Sequence, residues 1–288
     1  MSSAPSVAQP PGRPIQGPTA LGNDPRRLWT LALALAVTDF RLKFFGSVLG
    51  YLWQLMRPLL LFGVLYTVFT LLLKVQGSEP YYPVALLLGI VLFSFFSEAT
   101  AGSVRSIVNR EGLVRKIEFP RLAVPLATVL TAIFNLLLNL VPVFVFLLIA
   151  GDTPRWSWLE FPVLLAFLSA LALGIAMMLS ALFVRYRDVE PIWDVVLQVM
   201  FYASPILYTL SLVRDKASES VVRLLLANPF AAILQQSRHA LVHPDYESTA
   251  AGMGSGVWLL VPIAIIVVAV ALGYRIFSRA APRIAEEL

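Results

Sequence analysis

Residues 184–208 read VRYRDVEPIWDVVLQVMFYASPILY, and they set four charges, Arg185, Arg187, Asp188 and Glu190, between two long apolar stretches. Further along the same stretch comes the pair Ser204-Pro205. The fold follows from the solvent that surrounds such a chain. Of its 288 residues, 58% are hydrophobic and only 14% are charged, where a soluble domain carries about 25% charged residues. A charge at the centre of a bilayer costs about 2.5–3.5 kcal/mol on the gentler scale. Residues 185–190 therefore form a tight turn at a membrane surface, between two spanning helices. The signs are ordered as helix dipoles prefer. Arg185 and Arg187 end one helix, and Asp188, Glu190 and Asp194 begin the next, with Pro191 in its first turn. Ser204-Pro205 then lies about 21 Å beyond Pro191, past the membrane midpoint, and is expected to bend the helix there.

Working outward, the long apolar runs predict an all-α membrane protein, because none of them alternates with the period of two that a barrel strand requires. Six transmembrane helices are expected, at 52–73, 83–104, 122–150, 159–184, 191–212 and 257–275. The third is longer than a bilayer needs, and Pro125 and Pro142 allow it to bend or to begin in the interface. Ahead of them, Asp24-Pro25 has the form of a helix start. The uncharged core that follows, Leu28 to Thr38, covers only about 16 Å, roughly half a bilayer. Flanked by Arg26, Arg27, Asp39, Arg41 and Lys43, residues 25–46 read as an amphipathic helix lying in the interface rather than as a short extra span. Residues 1–24, rich in Pro, Ser and Gly, read as a disordered tail, and no N-terminal stretch has the form of a cleaved signal peptide. Residues 47–288 hold the six-helix domain.

Placing the N-terminus in the cytoplasm puts sixteen of the 22 Lys and Arg residues on the inner side. Four of the other six fall in one long loop, 213–256, the kind that weighs least in setting topology. Both termini are expected inside. That loop contains VVRLLLANPFAAILQQSRHALV, amphipathic and broken at Asn228-Pro229, which reads as helices re-entering the membrane from outside.

The chain has no cysteine and two histidines, His239 and His243, so no disulfide, thiolate metal site or resident cofactor is expected. No G-x-x-x-x-G-K-[ST] loop is present, and GMGSG at 252–256 has the wrong spacing for one. Neither H-E-x-x-H nor G-x-S-x-G occurs, and no catalytic residues are expected. Polar residues inside spans are functional candidates because they are costly there. They are Glu98, Asn135, Asn139, Asp194 and Gln198. Asn135 and Asn139 share one helix face and suit hydrogen bonding between helices. The aromatics Phe93, Phe95, Phe96, Phe201, Tyr202 and Tyr208 have two readings. They line a path on which sugar rings stack, or they pack in ordinary belts. The translocation-path candidates are Phe93, Phe96, Glu98, Phe201 and Tyr202. An ion-driven carrier would carry more charge at the midplane, so energy is expected to enter from elsewhere.

Four stretches then stand in a recognisable order: DFRLKFFGSVLGYLWQLMRP at 39–58, GLVRKIEFPRLAVP at 112–125, YRDVEPIWDVVLQVMFYASPILY at 186–208, and NPF at 228–230. From residue 25 to the end, the chain resembles the transmembrane subunit of type-2 ABC exporters for O-antigen, capsular polysaccharide, teichoic acid and galactan. The resemblance implies a homodimer with a channel at its interface, in a bacterial cytoplasmic (inner) membrane. It also implies two copies of an ABC nucleotide-binding subunit, which hold ATP and Mg. The implied substrate is a lipid-linked polysaccharide, with no catalysis in this chain and no nucleic acid as partner. On this resemblance the interfacial helix, with Arg41 and Lys43, contacts the ATPase. Arg110, Glu111, Arg115 and Lys116 form a coupling loop, and Arg187-Asp188 anchors the turn between the fourth and fifth spans. Asn228 and Pro229, with Ser204 and Pro205, make an outer gate. Two alternatives come from elsewhere. One is a related permease for teichoic acid, drugs or lipids. The other is a membrane enzyme acting on polyprenyl-linked sugars, which needs a cluster drawn from Glu98, Asp188, Glu190 and His239.

Overall fold

The computed structural model describes residues 24–44, 50–72, 81–114, 119–151 and 154–284, and among these every regular element is helical. The expected tail up to Asn23, together with Arg115 and Lys116, lies outside the described residues. In chain order, α1 is Pro25–Phe44, α2 is Gly50–Tyr66 with a π-helical extension Thr67–Leu72, α3 is Tyr82–Val104 and α4 is Glu111–Val114. α5 is Ala123–Ile149, α6 is Glu160–Arg185 and α7 is Val189–Ala203. Four short helices follow: α8 Leu210–Lys216, α9 Glu219–Ala227, α10 Pro229–Ser237 and α11 Thr249–Gly252. α12, Leu260–Ala280, completes the order.

Five helical stretches are long and apolar enough to cross a bilayer: Leu52–Leu72, Tyr82–Val104, Ala123–Ile149, Trp156–Arg185 and Gly256–Ala280. They fall where five of the six spans are expected. At the expected fifth span, 191–212, the chain does something other than bend. α7 is a single helix of 15 residues that stops at Ala203, a length of about 22 Å. The cause is local. Pro205 forces the residue before it into an extended conformation, and Ser204 sits at φ −91°, ψ 148°. Ile206 N then donates to Ser204 O at 2.7 Å, closing a tight turn.

Packing ranks the helices. In the apolar window of α3, 72% of residues are buried, against 11% in the first span and 17% in the last. α3 is therefore the central post, with α5 and α6 against it and α2 and α12 at the periphery. α6 and α12 cross at a backbone contact. A Cβ on Gly273 would lie 2.0 Å from the Gly174 carbonyl oxygen, and one on Gly174 would lie 2.7 Å from the Ala269 backbone. With Ala170 and Ala269 each four residues before its glycine, this is the small-residue contact that lets membrane helices approach closely where burial from water gives no driving force.

α1 lays Leu28, Ala32 and Ala36, one turn apart and all buried, against the bundle, mainly on α5. Phe40 adds an edge contact to Phe134 at 5.6 Å between ring centres. Trp29, Leu33 and Leu42 on its other faces are exposed.

Candidate functional site

A cavity of about 720 Å³ opens beside α3, bounded by the end of α1 and by α2, α5 and α7. Its lining is layered. Arg57 and Glu98 lie about 8–9 Å along their helices from the ends that carry Leu52 and Val104. Phe93, Phe201 and Tyr202 lie deeper, about 17–20 Å from the corresponding ends of α3 and α7. Polar Gln54, Ser94, Ser97, Asn139 and Gln198 complete the wall. In the charged layer Glu98 Oε1 accepts from Lys43 Nζ at 2.6 Å and from Asn135 Nδ2 at 2.6 Å. Asn135 is fully buried, so it holds the carboxylate from behind while Lys43 meets it from the open side. Behind Glu98 a smaller cavity of about 220 Å³ is bordered by Asp39 and Arg110, which form an ion pair. Two ion pairs thus fasten the end of α1 to α3 and the segment after it.

In the aromatic layer, Phe93 meets Phe201 edge-on at 5.1 Å and Phe230 edge-on at 5.5 Å. Phe201 and Tyr202 are 5.3 Å apart. Phe96 is buried and turned to Phe230 at 5.7 Å, so it supports the wall rather than lining the cavity.

Where α7 stops, the exposed-backbone problem is solved by side chains. The carbonyls of Ile206, Leu207 and Tyr208 accept, in turn, from Arg238 Nη2 at 3.0 Å, Tyr82 Oη at 2.6 Å and Arg238 Nη1 at 3.3 Å. Non-helical backbone at membrane depth survives only where the protein itself supplies such partners. Arg238 is fully buried in the π-helical turn that ends α10. Asn228 caps α10 by accepting from Phe230 N at 3.0 Å, and its amide donates to Ser204 Oγ at 3.2 Å. Ser204 and Asn228, each followed in the chain by a proline, are thereby brought together, and Phe230 of the aromatic layer comes next after Pro229.

At the opposite, charge-rich end of the bundle, Arg105 Nε and Nη2 both reach Glu190 Oε2 at 2.6 Å, joining the end of α3 to the start of α7. Arg105 and Arg187 both stand over the Phe183 ring, at 5.9 and 4.9 Å. Arg187 and Asp188 are exposed, and Asp188, at the cap position of α7, makes no capping bond with its side chain. Trp193 Nε1 donates to Thr100 Oγ1 at 3.0 Å, a second tie between α7 and α3.

Four of the five path candidates are brought together in one cavity wall, and Lys43 joins them there. Arg41 is exposed near the end of α1, Glu111 starts α4, and Arg110 is tied to α1. Arg115 and Lys116 lie outside the described residues. The four groups an enzyme reading needs do not converge. Glu98 is engaged by Lys43 and Asn135, Glu190 by Arg105, and His239 Nδ1 by the Tyr246 carbonyl at 2.6 Å, while Asp188 is exposed. Arg105, Phe230 and Arg238 escape a reading of the sequence alone. An arginine set within the apolar stretch that follows Asn228-Pro229 is the available signal for Arg238.

The profile of the ABC-2 type transporter family matches residues 30–242. An O-antigen export system permease protein RfbA from Klebsiella pneumoniae is 28% identical over 264 residues, covering 91% of this chain and 96% of that protein. The protein of the same name from Myxococcus xanthus is 28% identical over 204 residues, 71% of this chain and 77% of its own length. A polysialic acid transport protein KpsM from Escherichia coli is 24% identical over 220 residues, 75% of this chain and 82% of that protein.

Proposed function

The chain belongs to the ABC-2 type transporter family, and from that premise we propose that it exports a lipid-linked polysaccharide of the O-antigen kind. It is an ABC-2 permease, homologous along most of its length to O-antigen export permeases. Membership implies a membrane setting and an ABC ATPase partner, so ATP and Mg are bound by that partner. In this reading the membrane is the bacterial inner membrane, the charge-rich end of the bundle and both termini face the cytoplasm, and two copies of each chain assemble. The exposed apolar faces of α2 and α7, with Trp53, Leu60, Val64, Ile192, Val195 and Val199, flank the cavity and suit burial against a second copy.

The observation that carries the substrate is the cavity, with an ionic layer followed by an aromatic wall of Phe93, Phe201 and Tyr202. Ring faces of this kind stack on the C–H faces of sugars. The segment 25–46 and the residues Arg41, Arg110, Glu111, Arg115, Lys116, Arg187 and Asp188 form the surface on which the ATPase acts, and Lys43 carries that contact into the cavity. Residues 47–288 form the permease domain, closed on the outer side by Ser204, Pro205, Asn228 and Pro229.

The test is reconstitution of the chain with its ABC ATPase partner. ATP-dependent appearance of a lipid-linked glycan on the far side of proteoliposomes is the expected result, with no ATP hydrolysis by this chain alone. Nucleotide crosslinking into this polypeptide, or export that persists without the partner, overturns the reading.

A further inference from the structure

We propose that Arg57, with Lys43 beside it, is a phosphate-binding subsite of the cavity, for a phosphate or diphosphate carried by the transported molecule; this rests on the export reading above.

Three observations lead there. Arg57 sits inside the first apolar span and lines the cavity, and among the described residues it has no ion-pair partner. Membrane-embedded cations are costly and face a partner or a wet path. The carboxylate in the same wall, Glu98, is already engaged on one oxygen by both Lys43 and the buried Asn135. Arg57 is therefore the cation left to the cavity. Lys43 is half-exposed at its ion pair and can turn from Glu98 toward a second anion. The neutral groups around them, Gln54, Ser94 and Ser97, donate hydrogen bonds and do not repel an anion.

The ligand's chemistry follows from charge and depth. An arginine fork matches the oxygens of a phosphate, and a neighbouring lysine adds a point charge. A single carboxylate would satisfy Arg57 alone, whereas a diphosphate has oxygens enough to draw Lys43 as well. The charged layer lies nearer the charge-rich end than the aromatic layer by about 8–12 Å. A molecule whose phosphate stops at Arg57 thus presents the sugar attached to it to Phe93, Phe201 and Tyr202. Such a phosphate could belong to the lipid carrier of the glycan, to a bilayer phospholipid, or to free pyrophosphate.

The experiment uses the full-length chain in phosphatidylcholine nanodiscs and measures binding of a polyprenyl diphosphate and of the polyprenol of equal length. Phosphatidylglycerol and inorganic pyrophosphate serve as competitors. The wild type is expected to prefer the diphosphate by about tenfold or more, Arg57→Gln to lose that preference, and Arg57→Lys to keep most of it. Unchanged polyprenol binding by Arg57→Gln shows that the variant is folded. Competition by pyrophosphate alone assigns the site to the phosphate group itself. Competition by phosphatidylglycerol assigns it to bilayer lipid, and resistance to both assigns it to the carrier. Retention of the full preference by Arg57→Gln overturns the subsite, whether or not the wild type exports glycan. Failure of the wild type to export glycan removes the transport reading and leaves the subsite to stand or fall on the binding data.

Discussion

The amide of Asn228 donates to the hydroxyl of Ser204 across 3.2 Å, while its carbonyl oxygen accepts from Phe230 N at 3.0 Å. One side chain thus starts α10 and holds the residue where α7 stops. Ser204→Ala removes the first bond only, and a loss of about 0.6 kcal/mol is expected. Asn228→Ala removes the cap as well and is expected to cost about 1 kcal/mol more. The double variant should match Asn228→Ala alone, because Ser204 has then already lost this partner. Chemical denaturation of the detergent-solubilised chain measures all three, and equal costs for the two single variants would show that the cap contributes nothing.

Arg238 donates to the carbonyls of Ile206 and Tyr208 from a fully buried position. Arg238→Met leaves both oxygens without that donor, and a destabilisation of about 2–4 kcal/mol is expected. The chain contains no cysteine, so Leu207→Cys supplies a unique reporter. Its labelling by a water-soluble maleimide should be slow in the wild-type background and several-fold faster with Arg238→Met.

Gly273 and Gly174 permit the α6–α12 crossing, and a Cβ on Gly273 would overlap the Gly174 carbonyl. Gly273→Ala is expected to push the helices apart, at a cost of about 3 kcal/mol, and to reduce accumulation in the membrane. Gly63 faces open space, with nothing within 4 Å of its Cβ position. Gly63→Ala should leave stability unchanged or raise it by about 1 kcal/mol through helix propensity. Thermal unfolding of the two variants side by side checks both directions.

Arg105 and Glu190 join α3 to α7 at the charge-rich end. Arg105 is mostly exposed there, 60% on the side chain, so the pair's expected worth to stability is under about 1 kcal/mol. Arg105→Glu should therefore insert and fold normally yet lower ATP-driven export several-fold. Arg105→Glu combined with Glu190→Arg should restore most of it. Export that stays low in the double variant, with folding intact, would separate the pair from coupling. The same reversals at Arg187 and Asp188, which are exposed and lack a mutual bond in the structure, test whether that turn meets the ATPase directly.

Much of this architecture is legible in the sequence because a bilayer filters for length and apolarity, which are local properties. Five spans fall where uninterrupted apolar runs place them, and Glu98 stands out because a carboxylate there needs a partner. The stop at Ser204 is half legible. Pro205 announces a disturbance, but whether a helix kinks or ends depends on who satisfies the freed carbonyls, and Tyr82 and Arg238 come from elsewhere in the chain. The Gly174–Gly273 contact has no local signature beyond two small residues in separate spans. Phe230 looks like any apolar residue until α10 folds back and sets it between Phe93 and Phe96. The pairing of Arg105 with Glu190 is likewise hidden, since capping alone accounts for an acid at the start of α7.

α7 is short and tied at both extremities, by Arg105 to Glu190 below and by the Ser204–Asn228 bond above. Such a rod behaves as a lever. Tilting about 22 Å of helix by about 5° carries its upper end sideways by about 2 Å. Phe201 and Tyr202 ride on that end, so a tilt that moves them by less than the width of one water molecule would be enough to widen or narrow the cavity at its aromatic wall.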